Sequence, residues 1–264
     1  MLPRVNLVRT DDADYLLFST NDVISRGIHE SGAWEPHLLT IANAFVSGVE
    51  RPLVFDIGAN LGGFAVRAAK MIQQSGGSVW AFEPQRIVYY QLCGNIFLNR
   101  LDNVVAYNYA VGETDATLEL PVPDYARLSN VGGYSVEAKW RELNGTQGFM
   151  TAATEAVRCV CLDNLAVPRR VNFIKLDVEG LELQVLRGAA KFLAAQGYPP
   201  IFFEVWDTPW FAEGKKALLD YVLGLGYEVT PLPQYDHVAQ HPAHPVRIEF
   251  TKQSETSVNM RRVR

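Results

Sequence analysis

The sequence contains no long apolar run and few cysteines. Its longest apolar stretches are interrupted by charged residues, glycine or proline well before the roughly 18 residues that a membrane-spanning helix requires, and its first residues lack the apolar core of a signal peptide. We therefore expect a cytoplasmic protein without a membrane partner. Among its three cysteines, Cys159 and Cys161 would share one face of a strand, which favours a buried thiol pair over a metal or redox site.

An excess of positive charge is also absent. The chain has 24 Lys and Arg against 29 Asp and Glu, a formal net charge of −5 at pH 7. Its basic residues are scattered rather than gathered into a stripe with interleaved aromatic residues. Such a surface repels an extended polyanion more than it attracts one. We therefore do not expect nucleic acid as a substrate or partner.

Apolar residues, at 48% of 264, are plentiful enough for the core of one large α/β domain. Short β-branched runs alternate with longer segments whose apolar residues recur at intervals of three and four, which is the pattern of strands and helices in turn. This alternation predicts a mostly parallel seven-stranded sheet with helices on both faces. The predicted strands span residues 53–57, 78–82, 103–107, 171–176 and 200–204, with a closing pair at 227–230 and 246–250.

The domain boundaries follow from the places where this repeat is interrupted. Residues 1–50 precede the first strand and are predicted to form an N-terminal extension or cap. Residues 51–252 form the main domain, and the stretch from about 113 to 161 is too long for a simple connection, so it is predicted to be an insertion. Residues 253–264 are predicted to be a loose polar tail.

The predicted insertion contains two possible strands, at residues 117–120 and 157–160. Residues 129–135 lie between them and contain two adjacent glycines, which can adopt backbone conformations that are unfavourable for other residues. This segment is either a lid over a binding site or a disordered surface loop. On the first alternative, Asn130 and Tyr134 are candidate substrate contacts.

A glycine turn follows the first predicted strand. Asp56 lies near the end of that strand, and Gly58 begins a tight turn into a helix, so the backbone can approach a ligand closely and offer its amide hydrogens. A dinucleotide-binding fingerprint would read G-x-G-x-x-G, whereas Asn60 stands in place of its middle glycine. The turn therefore favours a nucleoside ligand without a pyrophosphate. Asp56 is suited to a cation such as the ammonium of a methionine moiety.

Further acidic residues stand at the ends of other predicted strands. Glu83 can accept hydrogen bonds from both hydroxyls of a ribose, or it is only a solvated carboxylate at a helix start. Asp177 and Glu179 follow the fourth strand and Glu204 ends the fifth, where ligands of open α/β sheets bind. These three acids suit a sulfonium, proton abstraction or a divalent cation. For Glu179, and for Glu182 after it, helix capping is an alternative role. We expect no metal, because no histidine accompanies them in sequence.

These motifs resemble those of the FkbM-type methyltransferases, which are class I enzymes that use S-adenosylmethionine. The resemblance covers about residues 32–204. It implies a Rossmann-like class I methyltransferase fold and S-adenosylmethionine as the cofactor. The segments that carry it are residues 55–62 (FDIGANLG), 81–84 (AFEP), 110–111 (AV), 174–180 (IKLDVEG) and 186–188 (LRG).

The resemblance also implies roles for individual residues. Asp56, together with the glycine turn, would line the methionine end of the cofactor, and Glu83 would hold the ribose. The backbone near Ala110 would meet the adenine, and Asp177 would lie close to the methyl group. The cofactor-binding residues implied in this way are Asp56, Gly58, Ala59, Asn60, Glu83, Pro84, Ala110 and Asp177.

A second group of candidates lies ahead of the first strand. Residues 32–36 resemble a family segment whose aromatic–acid pair, here Trp34 and Glu35, closes over the cleft on the substrate side. The alternative is a Trp packed on the core and an acid at a helix start. His29 or His37, which flank this pair, is a further candidate for a general base.

The predicted function is transfer of a methyl group from S-adenosylmethionine to a hydroxyl of a small metabolite or glycan. Asp177, Glu179 and Glu204 are the candidate catalytic residues. One alternative is a nicotinamide-dependent oxidoreductase, which shares the sheet and the ribose-binding acid. Another is a cofactor-binding domain without catalytic activity. The oligomeric state is left open, a homodimer being one option.

Overall fold

The computed structural model describes residues 3–20, 22–127, 129–233, 235–254 and 257–263. In chain order its strands are β1 (Val5–Arg9), β2 (Asp14–Phe18), β3 (Leu53–Ile57), β4 (Ser78–Phe82), β5 (Val104–Tyr107), β6 (Tyr109–Gly112), β7 (Ala116–Pro123), β8 (Met150–Cys161), β9 (Val171–Leu176), β10 (Ile201–Glu204), β11 (Glu228–Pro231), β12 (Asp236–Gln240), β13 (Ile248–Lys252) and β14 (Val258–Arg262). Its helices are α1 (Val23–Ser31), α2 (Pro36–Val46), α3 (Ala65–Gln73), α4 (Arg86–Leu98), α5 (Ala138–Leu143), α6 (Glu182–Arg187), α7 (Ala190–Ala195) and α8 (Ala212–Gly224). No helix within these ranges is long and apolar enough to cross a bilayer.

Seven strands form the central sheet, in the order β11-β12-β10-β9-β3-β4-β5. Neighbours from β10 to β5 run parallel, and β12 is antiparallel to both β10 and β11. The mostly parallel seven-stranded sheet is therefore confirmed. Because β3, β4, β9 and β10 point the same way, their carboxyl ends lie along one edge of the sheet, where ligands of such sheets bind.

Aromatic side chains anchor helices to both faces of this sheet. On one face, Phe45 of α2 stacks on Phe173 of β9 with ring centres 5.8 Å apart. On the other face, Phe55 of β3 stacks on Trp80 at 5.6 Å and on Phe192 of α7 at 5.8 Å. Burial on both faces explains why the central strands are almost continuous apolar runs rather than alternating ones.

The last third of the chain differs from the prediction in its strand pairing. The predicted closing pair is wrong, because β11 pairs with β12, which the sequence pattern does not reveal. The strand predicted at residues 246–250 lies outside the central sheet and pairs as β13 with β14, so residues 253–264 include a strand rather than only a loose tail. β12 is polar in sequence, yet the Gln240 side chain exchanges hydrogen bonds of 2.9 and 2.8 Å with the backbone of Ile248 and so is satisfied while buried.

The helical segment after β9 is divided into two short helices, α6 and α7. Gly188 lies at the break, where a Cβ atom would come 2.2 Å from the carbonyl oxygen of Gly112. The chain therefore needs a residue without a side chain at this point, and the helix is interrupted where it passes β6.

The predicted insertion folds as a small sheet of its own in the order β6-β8-β7, with β7 antiparallel to β8. Its strands include the predicted segments 117–120 and 157–160, so both predicted strands are confirmed. Cys159 and Cys161 are buried free thiols, as expected. The connection between β7 and β8 carries residues 129–135 back toward the carboxyl edge of the central sheet.

The core assignment leads to a test with a matched control. We expect Phe55→Ala to lower the free energy of unfolding by about 3–5 kcal/mol, because it removes a fully buried ring that stacks on two others. Phe97→Ala, at a ring that is 87% exposed on α4, should change it by about 0.5 kcal/mol or less. Urea denaturation followed by circular dichroism measures both values, and equal losses would contradict this core.

Candidate active site at the carboxyl edge of the sheet

A cavity of about 340 Å³ opens at the carboxyl ends of β3, β4, β9 and β10. This volume is within the range of small-molecule sites. The structure brings most of the predicted site residues to this one cavity. Asp56 lies behind its wall, and the general-base candidates His29 and His37 are not among the residues that line it. The predicted residues that line it are Trp34, Glu35, Gly58, Ala59, Asn60, Glu83, Pro84, Ala110, Asn130, Tyr134, Asp177, Glu179 and Glu204.

The glycine turn between β3 and α3 forms one wall of the cavity. Gly58 has φ +81°, and a Cβ atom there would lie 1.7 Å from the backbone oxygen of Asp177, so only glycine fits this close approach. Asn60 has φ +50° and its Oδ1 accepts a hydrogen bond of 2.7 Å from the amide of Leu61. Asn60 thus adopts a left-handed conformation like that of a glycine, which Asn tolerates better than most residues.

Glu83 stands beside this turn at the end of β4. Its Oε2 accepts a hydrogen bond of 2.9 Å from the amide of Asn60, and its Oε1 accepts one of 2.8 Å from the amide of Gln85. Burial raises the pKa of Glu83 to about 7, although both amides oppose this shift. Glu83 lines the cavity, and because a carboxylate oxygen can accept more than one hydrogen bond, the group can accept further ones from a ligand.

Lys175 is a site residue that the sequence did not single out. From β9 its ammonium lies 2.8 Å from the Gly58 carbonyl oxygen, 3.0 Å from Asp177 Oδ2 and 3.4 Å from Asp56 Oδ1. Asp56 is fully buried, which raises its pKa to about 6. Burial lowers the pKa of Lys175, but Asp177 and Asp56 outweigh this and raise it overall. A lysine within an otherwise apolar strand was the available signal, since such a charge requires buried partners.

Three carboxylates, those of Asp177, Glu179 and Glu204, converge at the carboxyl ends of β9 and β10, with one oxygen of each within 4.8 Å of the others. The Trp206 indole donates a hydrogen bond of 3.0 Å to Glu204 Oε2. Burial, and then the charge of Asp177, raises the pKa of Glu204 to about 9 and that of Glu179 well above its usual range. This arrangement can hold protons, hydrogen-bond an acceptor or coordinate a divalent cation, a metal that the sequence does not predict.

The alternative helix-capping role belongs to Glu182 rather than to Glu179. Glu182 Oε1 accepts a hydrogen bond of 3.0 Å from the amide of Val178, which closes the turn before α6. Glu179 instead has φ +55°, in the left-handed region that a non-glycine residue rarely adopts. This backbone conformation turns its carboxyl group to the cavity.

The segment before α2 forms the wall on the N-terminal side. Trp34 packs against Gly27, where an added Cβ atom would lie 2.7 Å from the Trp34 ring, and it also lines the cavity. Its role toward a substrate stays a prediction. Glu35 has φ +44°, and burial raises its pKa to about 7. His37 Nε2 lies 2.8 Å from Asp236 Oδ2, which joins α2 to β12. Asp236 also lines the cavity. It was not predicted as a site residue because the strand that carries it, β12, was not predicted from the sequence.

Residues 129–135 cover the cavity from the side of the insertion. Asp22, the N-cap of α1, accepts a hydrogen bond of 3.0 Å from the amide of Val131, and Gln85 donates one of 3.1 Å to the Val131 carbonyl. The Tyr134 hydroxyl donates to the carbonyl of Pro121 at 3.0 Å. Of the two alternatives for this segment, the contacts favour a cover over the site.

Comparison with known proteins places this cavity in a family. The family model described as the methyltransferase FkbM domain matches residues 56–229, which include the glycine turn and all three strand-end acids. A curated relative, Methyltransferase 1 of Beauveria bassiana, is 29% identical over 147 residues, a match that covers 51% of this chain and 57% of that protein. The chain thus spans little more than half the length of this relative.

Solved structures of methyltransferases are similar to this chain over most of its length. The FkbM methyltransferase of Methylobacillus flagellatus has 17% identity and a TM-score of 0.48, with 81% of this chain and 52% of that chain covered. An S-adenosylmethionine-dependent O-methyltransferase of Thermotoga maritima has 13% identity and a TM-score of 0.46, with coverage of 99% and 72%. The sheet order and the family match confirm the Rossmann-like class I methyltransferase fold expected from the sequence. The chain belongs to the FkbM-domain methyltransferases.

Proposed function

We propose that the cavity binds S-adenosylmethionine and that the protein transfers its methyl group to a hydroxyl oxygen of a small metabolite or glycan. The observation that carries this proposal is the convergence of the Gly58 turn, Glu83 and Asp177 on one cavity, within the segment that matches the family. The choice of oxygen as the acceptor atom rests on the resemblance to the FkbM-type enzymes.

The residues present fit this cofactor. The turn at Gly58 has no side chain that would obstruct a nucleoside, and Glu83 keeps one oxygen for each hydroxyl of a ribose. Pro84 and Ala110 line the same side of the cavity and supply the apolar surface that an adenine ring requires. Asp177 would lie at the reacting end, with Asp56 acting on it from behind the wall through Lys175.

The methyl group of S-adenosylmethionine is already activated by its sulfonium, so the protein needs to exclude water, align the acceptor and take its proton. Asp177 is our candidate for the proton acceptor, because it lines the cavity while Lys175 holds one of its oxygens. Glu204, whose pKa of about 9 keeps it protonated at neutral pH, can donate a hydrogen bond to the acceptor oxygen. Glu179 would share this role.

Trp34, Glu35, Asn130 and Tyr134 would contact the acceptor or close the cavity above it. Among the described residues that line the cavity, Lys175 is the only lysine or arginine, whereas six lining residues are acidic: Glu35, Glu83, Asp177, Glu179, Glu204 and Asp236. The ammonium of Lys175 is already paired with Asp177 and Asp56, so this lining offers no unpaired cation to a phosphate group. This distribution of charge supports a small metabolite or a glycan rather than a nucleic acid as the acceptor.

Membership of a methyltransferase family removes the support for a nicotinamide-dependent oxidoreductase, and Asn60 in place of the middle glycine agrees with this. A cofactor-binding domain without catalytic activity would have the same cavity and would differ only in having no turnover. The test is methyl transfer from radiolabelled S-adenosylmethionine to a panel of hydroxylated metabolites and oligosaccharides. Transfer to an oxygen supports the proposal, and binding without transfer to any acceptor or to water would contradict it.

An Asp177→Asn variant tests the role of this residue in the reaction. We expect it to fold and to lower turnover at least about 100-fold, as the loss of a general base commonly does. Its affinity for S-adenosylmethionine, measured by calorimetry, should fall much less. Equal losses in turnover and affinity would show that Asp177 serves binding instead.

The pKa of Glu204 predicts how stability depends on pH. The folded protein binds this proton more tightly than the unfolded chain, whose value is near the ordinary 4.5. The resulting stabilisation is complete below that value and is lost as pH rises through about 9. Glu204→Gln should therefore gain stability relative to wild type as pH increases from 5 to about 9. Thermal denaturation at both pH values measures this, with the exposed Glu213→Gln as control, and a constant difference would contradict the assignment.

A further inference from the structure

Three charged side chains form a unit behind and within the cavity wall. Asp56 of β3 and Lys175 of β9 are register partners on adjacent parallel strands, and Asp177 follows Lys175 by two residues. The three hydrogens of the Lys175 ammonium face three oxygens, those of Gly58, Asp177 and Asp56, at 2.8, 3.0 and 3.4 Å. Lys175 is thus surrounded by protein oxygens, and its role concerns its two acids.

The charges of this unit do not cancel. Two carboxylates and one ammonium leave an excess of one negative charge when all are ionised. The side chain of Asp56 is 0% exposed, and its oxygens have no close hydrogen bond within the described residues. The side chain of Asp177 is 33% exposed and lines the cavity. Asp177 is the acid of this unit that reaches the cavity, so the net charge of the unit acts on the cavity through Asp177.

Lys175 also allows Asp56 and Asp177 to lie close to each other at the ends of β3 and β9. Two desolvated carboxylates side by side cannot both remain ionised without a counter-charge, because their repulsion makes one of them take up a proton. The ammonium lies within 3.0 Å of one acid and 3.4 Å of the other and so offsets their repulsion. Glu35 and Glu83 also act on Lys175 from the N-terminal wall and from β4, and they add to the negative potential.

We infer that Asp56, Lys175 and Asp177 act as one unit of net charge −1 that makes the cavity prefer S-adenosylmethionine over the product S-adenosylhomocysteine. This inference rests on the proposed function. The two ligands differ by one methyl group and one positive charge, so a fixed negative charge in a low-dielectric cavity attracts the first and not the second. Once the methyl group has been transferred, the attraction ends and the product leaves more readily.

The test compares variants that differ in the charge of the unit. Asp56→Asn and Asp177→Asn both bring it to zero, one from behind the wall and one within the cavity. The double variant Asp56→Asn/Lys175→Met keeps Asp177 alone and restores the charge of −1. Asp220→Asn, at an exposed residue of α8, makes the same chemical change away from the cavity and serves as control.

Calorimetry gives the dissociation constants of each variant for S-adenosylmethionine and S-adenosylhomocysteine, after circular dichroism has shown that the variant folds. We expect the preference for S-adenosylmethionine to fall roughly tenfold in each variant of zero charge. It should return to within about threefold of wild type in the double variant and stay unchanged in the control. Because Asp177 is partly exposed, its variant tests the inference even if Asp56→Asn does not fold.

The contrary outcomes separate the two proposals. If wild type binds S-adenosylmethionine and every folded variant has the same preference for it over S-adenosylhomocysteine, the charged unit does not discriminate the two ligands. This inference is then overturned, while the proposed function stands. The same holds if the double variant stays as low as Asp56→Asn. If wild type binds neither ligand, the proposed function is overturned and this inference with it.

Discussion

The site depends on one close approach, between the turn after β3 and the end of β9. The carbonyl of Asp177 lies where a side chain of Gly58 would be, and the amide of Asp177 donates a hydrogen bond of 3.0 Å to the carbonyl of Ile57. Lys175 ties the same two segments together through the Gly58 carbonyl. This contact places the acid-bearing end of β9 beside the glycine turn, and the cavity forms around the pair.

The surrounding fold must hold several unfavourable features in place. Glu35, Asn60 and Glu179 line the cavity in the left-handed backbone region, each at a cost of about 1–3 kcal/mol. Burial of carboxylates adds a desolvation cost, and this cost is the main reason why the pKa values of Glu83 and Glu204 are raised. The aromatic cores on both faces of the sheet supply the rigidity that keeps these groups together, since a looser scaffold would relax them.

The sequence predicted those features that depend on local pattern. Central strands buried on both faces are apolar throughout, and glycine turns and strand-end acids follow directly from them, so the residues that converge on the cavity could be named in advance. The resemblance to a known family added Trp34 and Glu35, whose position before α2 no local pattern places at the cavity.

The features that were missed depend on contacts between distant segments. β12 was missed because it carries polar residues. Asp236 and Gln240 can be buried in this strand because they bond to His37 of α2 and Ile248 of β13. The role of Lys175 depends on its contact with Asp56, which lies more than a hundred positions earlier in the chain but is adjacent in the sheet. The break between α6 and α7 likewise follows from the approach of Gly188 to β6.

The most direct test of the central claim is calorimetric titration of the wild-type protein with S-adenosylmethionine and, separately, with NADH. The account predicts micromolar binding of the first with a stoichiometry of one and no binding of the second. The glycine turn has Asn60 in place of the middle glycine of a dinucleotide fingerprint, and the described cavity lining offers no unpaired cation to a pyrophosphate. Absence of S-adenosylmethionine binding would contradict the claim, and binding of NADH in its place would assign the cavity to a different chemistry.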